Sequence, residues 1–126
     1  MATTEEVRVL LERYCKAMSE HDRATWLSCF ADNAIQEDPV GTPANVGRDA
    51  IGAFFDNAPV GVNLSVTADP IVVGDEVIAF FQAQITIDGV LMVLPRIIDH
   101  IVLDSSGQRF AHLRAFFDYA ELAPKS

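Results

Sequence analysis

The sequence predicts an α+β fold in which helices come first and then pack on one face of a β-sheet. Three observations predict it. The first third carries apolar residues at helical spacing, the stretch after Pro59 reads as β-rich runs broken by turn signals, and 126 residues make one domain spanning 1–126.

Thr3 and Glu6 fit a capping box, which satisfies the orphan amides at a helix start. Val7, Leu10, Leu11, Tyr14 and Met18 then form one buried stripe, so Tyr14 points inward. Asp22 caps a second helix carrying Trp26, Leu27 and Phe30, which frays out near Ala31-Asp32-Asn33. Ala34 and Ile35 open a short strand that runs through Glu37-Asp38 into the Pro39-Val40-Gly41 turn. A third helix covers Arg48–Asn57, with Ala50, Ile51, Phe54 and Phe55 as its apolar side. Strands follow over Val62–Thr67, Ile71–Val73, Glu76–Ile87, Val90–Leu103 and Arg109–Asp118. Gly74-Asp75, Asp88-Gly89 and Asp104–Gln108 separate the last four, and Asp-Gly between β-rich runs is a strong hairpin signal.

Composition excludes several classes. The chain is 50% hydrophobic with a net charge of −9, which argues against disorder and against a nucleic-acid partner or an anionic membrane surface. Cys15 and Cys29 make no disulfide framework, and no CxxC or Cys/His cluster suggests a metal. The start MATTEEV is acidic where a leader peptide is basic and then apolar, and no apolar run reaches the roughly 20 residues of a membrane span. The expectation is a cytoplasmic protein. Val90–Leu94 is apolar on both alternating sets, and Ile78 and Phe80 oppose Ala79 and Phe81. Either a strongly curved sheet wraps its own core, or its second face is buried on another subunit; the reading here favours a homodimer.

Asp99 carries the most chemical information. Alternation places it on one strand face with Ile97, Ile101 and Leu103, where an ionised carboxylate is costly. It therefore has a cation partner, stays protonated, or caps backbone amides. Arg96 lies at an odd offset and points the other way. Asp38 suits a turn for backbone reasons alone, and Tyr14 suits an aromatic core, but both can share a pocket with Asp99. His21 and His100 read as exposed. His112 alternates with Phe110, Arg114 and Phe116, away from the Ala111, Leu113, Ala115, Phe117 face. No Ser has a His/Asp entourage, and no phosphate loop is present.

Arg13-Tyr14, Glu37-Asp38-Pro39-Val40-Gly41 and Ile98-Asp99-His100 together resemble the Δ5-3-ketosteroid isomerases of the nuclear-transport-factor-2-like, polyketide cyclase-like superfamily. Phe30-Ala31-Asp32-Asn33-Ala34 and Arg114-Ala115 extend the likeness over almost the whole chain. The resemblance implies three helices on a strongly curved, mixed or antiparallel sheet enclosing an apolar cone, in a homodimer. It makes Asp38 the general base, with Tyr14 and a protonated Asp99 donating hydrogen bonds to the substrate carbonyl. The family is itself the known example of an aspartic acid kept neutral by an apolar site. It needs no metal or organic cofactor, and its substrate is an apolar steroid. Val40, Phe54, Phe55, Val66, Phe81, Ala115 and Phe117 are the expected lining. Family members often carry a tyrosine where Phe55 stands, hydrogen-bonded to the oxyanion-hole tyrosine, and Phe55 cannot donate.

Two other readings compete. Limonene-epoxide hydrolase-like, cyclase-like and dehydratase-like enzymes share the fold. The hydrolases set an arginine between two aspartates, whereas Arg96 and Arg114 face away from the pocket here. A non-catalytic binder of apolar small molecules is the other, and it has no use for one ionised and one neutral aspartate.

Overall fold

A computed structural model describes residues 2–125. Helix α1 (Thr4–Ser19) opens with the expected capping box: the Thr3 hydroxyl accepts from the Glu6 amide and the Glu6 carboxylate from the Thr3 amide. Its buried stripe of Val7, Leu10, Leu11 and Tyr14 faces the sheet. Helix α2 (Arg23–Ser28) is capped by Asp22, which accepts from the Thr25 amide. Helix α3 spans Arg48–Asn57, as its apolar periodicity predicts.

The strands are β1 (Phe30–Glu37), β2 (Asn45–Val46), β3 (Asn63–Val73), β4 (Glu76–Ile87), β5 (Val90–Leu103), β6 (Phe110–Phe116) and β7 (Ala123–Pro124). Among the described residues they form one mixed sheet in the order β2-β1-β6-β5-β4-β3, with β7 on β5. The β3-β4-β5-β6 meander is antiparallel, while β1 joins β6 in parallel. Asp88 (φ 51°) and Gly89 (φ 78°) are both left-handed in the β4–β5 hairpin, the conformation a type I′ turn requires. Register shifts in β3, between Phe81 and Ala83, and between Val102 and Leu103 add twist, so the long strands curl around the cavity described below. The result is three helices on a curled α+β sheet.

Several sequence expectations need correction. The second helix stops at Ser28, because Phe30 pairs in parallel with Phe110 and the Phe110 amide donates to the Cys29 carbonyl at 2.8 Å. What reads as two strands over residues 62–73 is one bulged strand, β3. Phe110 lies inside the core, not on the His112 face: Val102 pairs with His112 while Leu103 pairs with Phe110, so the bulge at Ala111 reverses the alternation. The remainder of β6 alternates as expected, with Leu113 and Ala115 buried.

Within the chain, the second sheet face keeps apolar surface. Phe80, Ile98 and Phe116 are register neighbours across three strands; Ile98 is 38% and Phe116 43% exposed, and Ile71 on β3 is 53% exposed. Among the described residues no helix is long and apolar enough to cross a membrane.

Candidate active site

The helices and the concave sheet face enclose a cavity of about 310 Å³, at the lower end of the ~300–1,000 Å³ common for small-molecule sites. Its polar side chains are Tyr14, Asp38, Asp99 and Tyr119; the rest of the lining is aliphatic or aromatic. Tyr119 sits at the rim, 67% exposed, in the 3-10 turn Tyr119–Glu121.

Tyr14 comes from the buried stripe of α1. Its ring lies among Trp26, Phe30, Phe81 and Phe110, with centroids 5.8, 6.1, 6.1 and 5.4 Å away. Edge contacts with Phe30 and Phe110 hold the ring in place, as edge-to-face aromatic pairs do. Its hydroxyl makes no hydrogen bond to protein among the described residues. Burial, and then the charges of Asp38 and Asp99, push its pKa well above that of free tyrosine, so at neutral pH it remains a donor.

Asp38 follows the last residue of β1. Alternation sends Ala34, Gln36 and Asp38 inward and Glu37 outward, where Glu37 accepts from Arg114 at 3.0 Å and lies 2.9 Å from the His112 ring nitrogen. Those contacts pin β1 to β6 beside the aspartate. A cis Asp38-Pro39 bond follows, and the Val40 amide donates to the Ala115 carbonyl at 2.8 Å. The half-buried Asp38 lines the cavity, where desolvation raises its pKa to about 7.

Asp99 stands in the middle of β5, between Ala79 of β4 and Ala115 of β6. These small neighbours leave its carboxyl room to face the cavity. It is 2% exposed, and its Oδ1 has no hydrogen-bond partner among the described residues. Among the described residues no cation pairs with it: Arg96 pairs with Glu121 and Arg114 with Glu37 on the outer surface. Burial, reinforced by the charge of Asp38, raises its pKa well above the usual carboxylate range. A protonated carboxyl can donate a hydrogen bond, so the cavity presents two donors and one carboxyl that titrates near neutrality.

Of the other expected lining residues, Phe54, Phe81, Ala115 and Phe117 do line the cavity. Val40, Phe55 and Val66 do not. Val40 docks its turn on β6 through its backbone. Phe55 lies about 100° around α3 from Phe54, turned toward α2, against Trp26 at 5.0 Å and His21 at 4.8 Å. Val66 packs against the main core, beyond Leu64, which does line the cavity.

Sequence reading also missed Gln36, which is fully buried, and the rim residues Tyr119 and Leu122. Gln36 shares the inward parity of Ala34 and Asp38 and was legible on that ground. The rim rests on a short C-terminal turn with no periodic signal.

The profile of the SnoaL-like domain matches residues 11–120. Among solved structures, a computationally designed 17-OHP binder aligns with a TM-score of 0.75 at 23% identity, over 91% of this chain and 95% of its own. A Mycobacterium tuberculosis protein, RV0760c, aligns with a TM-score of 0.79 at 21% identity, over 98% of each chain. Identities this low speak to the fold alone.

Proposed function

The chain belongs to the SnoaL-like domain family, and from that premise we propose that it is a steroid Δ-isomerase acting on 3-oxo-Δ5-steroids. Asp38 takes a proton from the carbon between the ketone and the double bond, giving a dienolate, and returns it two carbons further along. The product is the conjugated Δ4 ketone, and no atom is gained or lost. Tyr14 and protonated Asp99 donate hydrogen bonds to the carbonyl oxygen as it becomes an oxyanion. Each such donor is worth about 10²–10³ in rate, and a positioned base about 10²–10⁴. The observation that carries the reading is Asp99: a carboxyl without a protein partner at Oδ1, facing the same apolar cavity as Asp38 and Tyr14.

The test follows the ultraviolet absorbance of the conjugated enone formed from 5-androstene-3,17-dione, with wild type beside Asp38→Asn. Wild-type signal reduced at least about a hundredfold in the variant supports the assignment, that being the lower bound for a positioned base. No signal above buffer from folded protein refutes it. A second reading, a non-catalytic binder of apolar small molecules, is favoured by the shared fold with the designed 17-OHP binder. It prevails if wild type has no turnover and Asp38→Asn binds steroid as tightly. The same proposal includes a homodimer, supported by the exposed Ile71, Ile98 and Phe116 on the outer sheet face. A monomer at micromolar concentration in analytical ultracentrifugation removes that part.

A further inference from the structure

We infer that Gln36 is a positioning residue for Asp38, held by Asn45 so that its amide NH2 faces the carboxylate. The inference rests on reading Asp38 as the base. Gln36 and Asn45 are register partners across the β1–β2 ladder. The Asn45 Nδ2 donates to Gln36 Oε1 at 3.0 Å, and the Gln36 Nε2 then reaches Asp38 Oδ2 at 3.5 Å. Gln36 is completely buried and Asn45 half-buried, so the Gln36 amide cannot turn toward bulk water. The chain of donors runs one way. Reversed, it sets the Gln36 carbonyl oxygen against the carboxylate, acceptor against acceptor, so the observed direction suits the ionised base.

At 3.5 Å the contact is long for an N–H···O bond. Its effect on Asp38 is therefore chiefly that of an oriented dipole inside a low-dielectric wall. The other ionisable groups lining the cavity with Asp38 are Tyr14 from α1, Asp99 from β5 and Tyr119 from the C-terminal turn, none of them a cation. Glu37, His112 and Arg114 meet on the outer face of the same register. Among the described residues, Gln36 is thus the side chain that offsets the burial of Asp38 from inside the sheet. The two-residue strand β2 presents Asn45 to it.

The test is Gln36→Met, which keeps chain length and removes the donor. The Asp38 carboxyl is titrated by ¹³C NMR, and kcat/KM for enone formation is measured against pH. Both midpoints should rise by up to about one pH unit, below the roughly one to two units of a full hydrogen bond to a charged group. A merely structural role lowers the rate at every pH and leaves the midpoints in place. Asn45→Ala keeps Gln36, removes its clamp, and should give a smaller rise; it carries the test if Gln36→Met fails to fold. Unmoved NMR midpoints in the folded variants overturn the inference. The NMR titration does not depend on turnover. A moved midpoint with no enone from wild type keeps the inference and refutes the isomerase reading.

Discussion

Replacing Asp99 with leucine should stabilise the fold while removing activity. The Asp99 Oδ1 is buried without a partner, a state that costs about 1–3 kcal/mol. Its register neighbours are Ala79 and Ala115, and it lines an open cavity, so two methyl groups in place of the two carboxyl oxygens fit without overpacking. Linkage adds a second contribution with a definite sign. The folded-state pKa of Asp99 is raised, so the folded protein retains a proton that the unfolded chain has released. Stability from this group is complete below the unfolded value near 3.8 and is lost as pH rises toward the folded pKa, at about 1.4 kcal/mol per pH unit. Asp38, raised to about 7, adds a slope of the same sign in both proteins. Glu37, lowered first by His112 and also by Arg114, has the opposite sign, and its contribution is lost only as pH falls through its depressed folded pKa. The advantage of Asp99→Leu over wild type should therefore widen by about 1.4 kcal/mol for each pH unit above about 4, until the folded pKa of Asp99 is reached. Urea unfolding at pH 5, 6 and 7, followed by the fluorescence of the buried Trp26, measures the gap. A variant less stable than wild type at pH 7, or a gap equal at pH 5 and 7, refutes the account. Enone formation should fall about 10²–10³-fold in the same variant.

Tyr14→Phe should lower kcat by about 10²–10³, yet shift urea stability by less than about 1 kcal/mol, because the lost hydroxyl has no protein partner. Phe55→Tyr should leave kcat no lower than wild type, since Phe55 packs on Trp26 and His21 and lies outside the cavity lining; a slower variant in steady-state assay counts against that placement. Gly52→Ala meets only the Arg23 guanidinium at under 3 Å, the far end of a flexible side chain whose ion pair with Asp56 is solvent-exposed. Helix propensity gained, about 1 kcal/mol, should offset the exposed pair lost, about 0–1 kcal/mol, leaving the urea midpoint close to wild type.

The elements legible in the sequence were those whose signal is local. Helix α3 was readable to the residue because Gly47 precedes an i, i+3, i+4 pattern that ends before Pro59, and Asp88-Gly89 fixed its hairpin through backbone conformation alone. Strands β2 and β7, at two residues each, are too short to show a period. The end of α2 was misplaced because a tertiary event decides it: the parallel pairing of Phe30 with Phe110. At the site, helix and strand periods turn Tyr14 and Asp99 inward, the family resemblance joins Asp38 to them, and all three line one cavity. Periodicity could not choose between Phe54 and Phe55, adjacent on one apolar helix face that meets the cavity on one side and α2 on the other.

Consecutive residues 37 and 38 show how much chemistry rests on strand parity. Glu37 turns outward to His112 and Arg114 and its pKa falls; Asp38 turns inward to carbon and its pKa rises. The side chains are chemically alike, so environment alone separates them. A slip of one residue in β1 would exchange the two, burying Glu37 and exposing the base. The contacts of Glu37 with two side chains of β6, at positions 112 and 114, oppose that slip, and the Val40 amide bond to Ala115 locks the strand just past Asp38. An outer-surface ion cluster thus sets the register that makes an inner carboxyl titrate near neutrality, and on this account its worth lies in specifying register more than in stability.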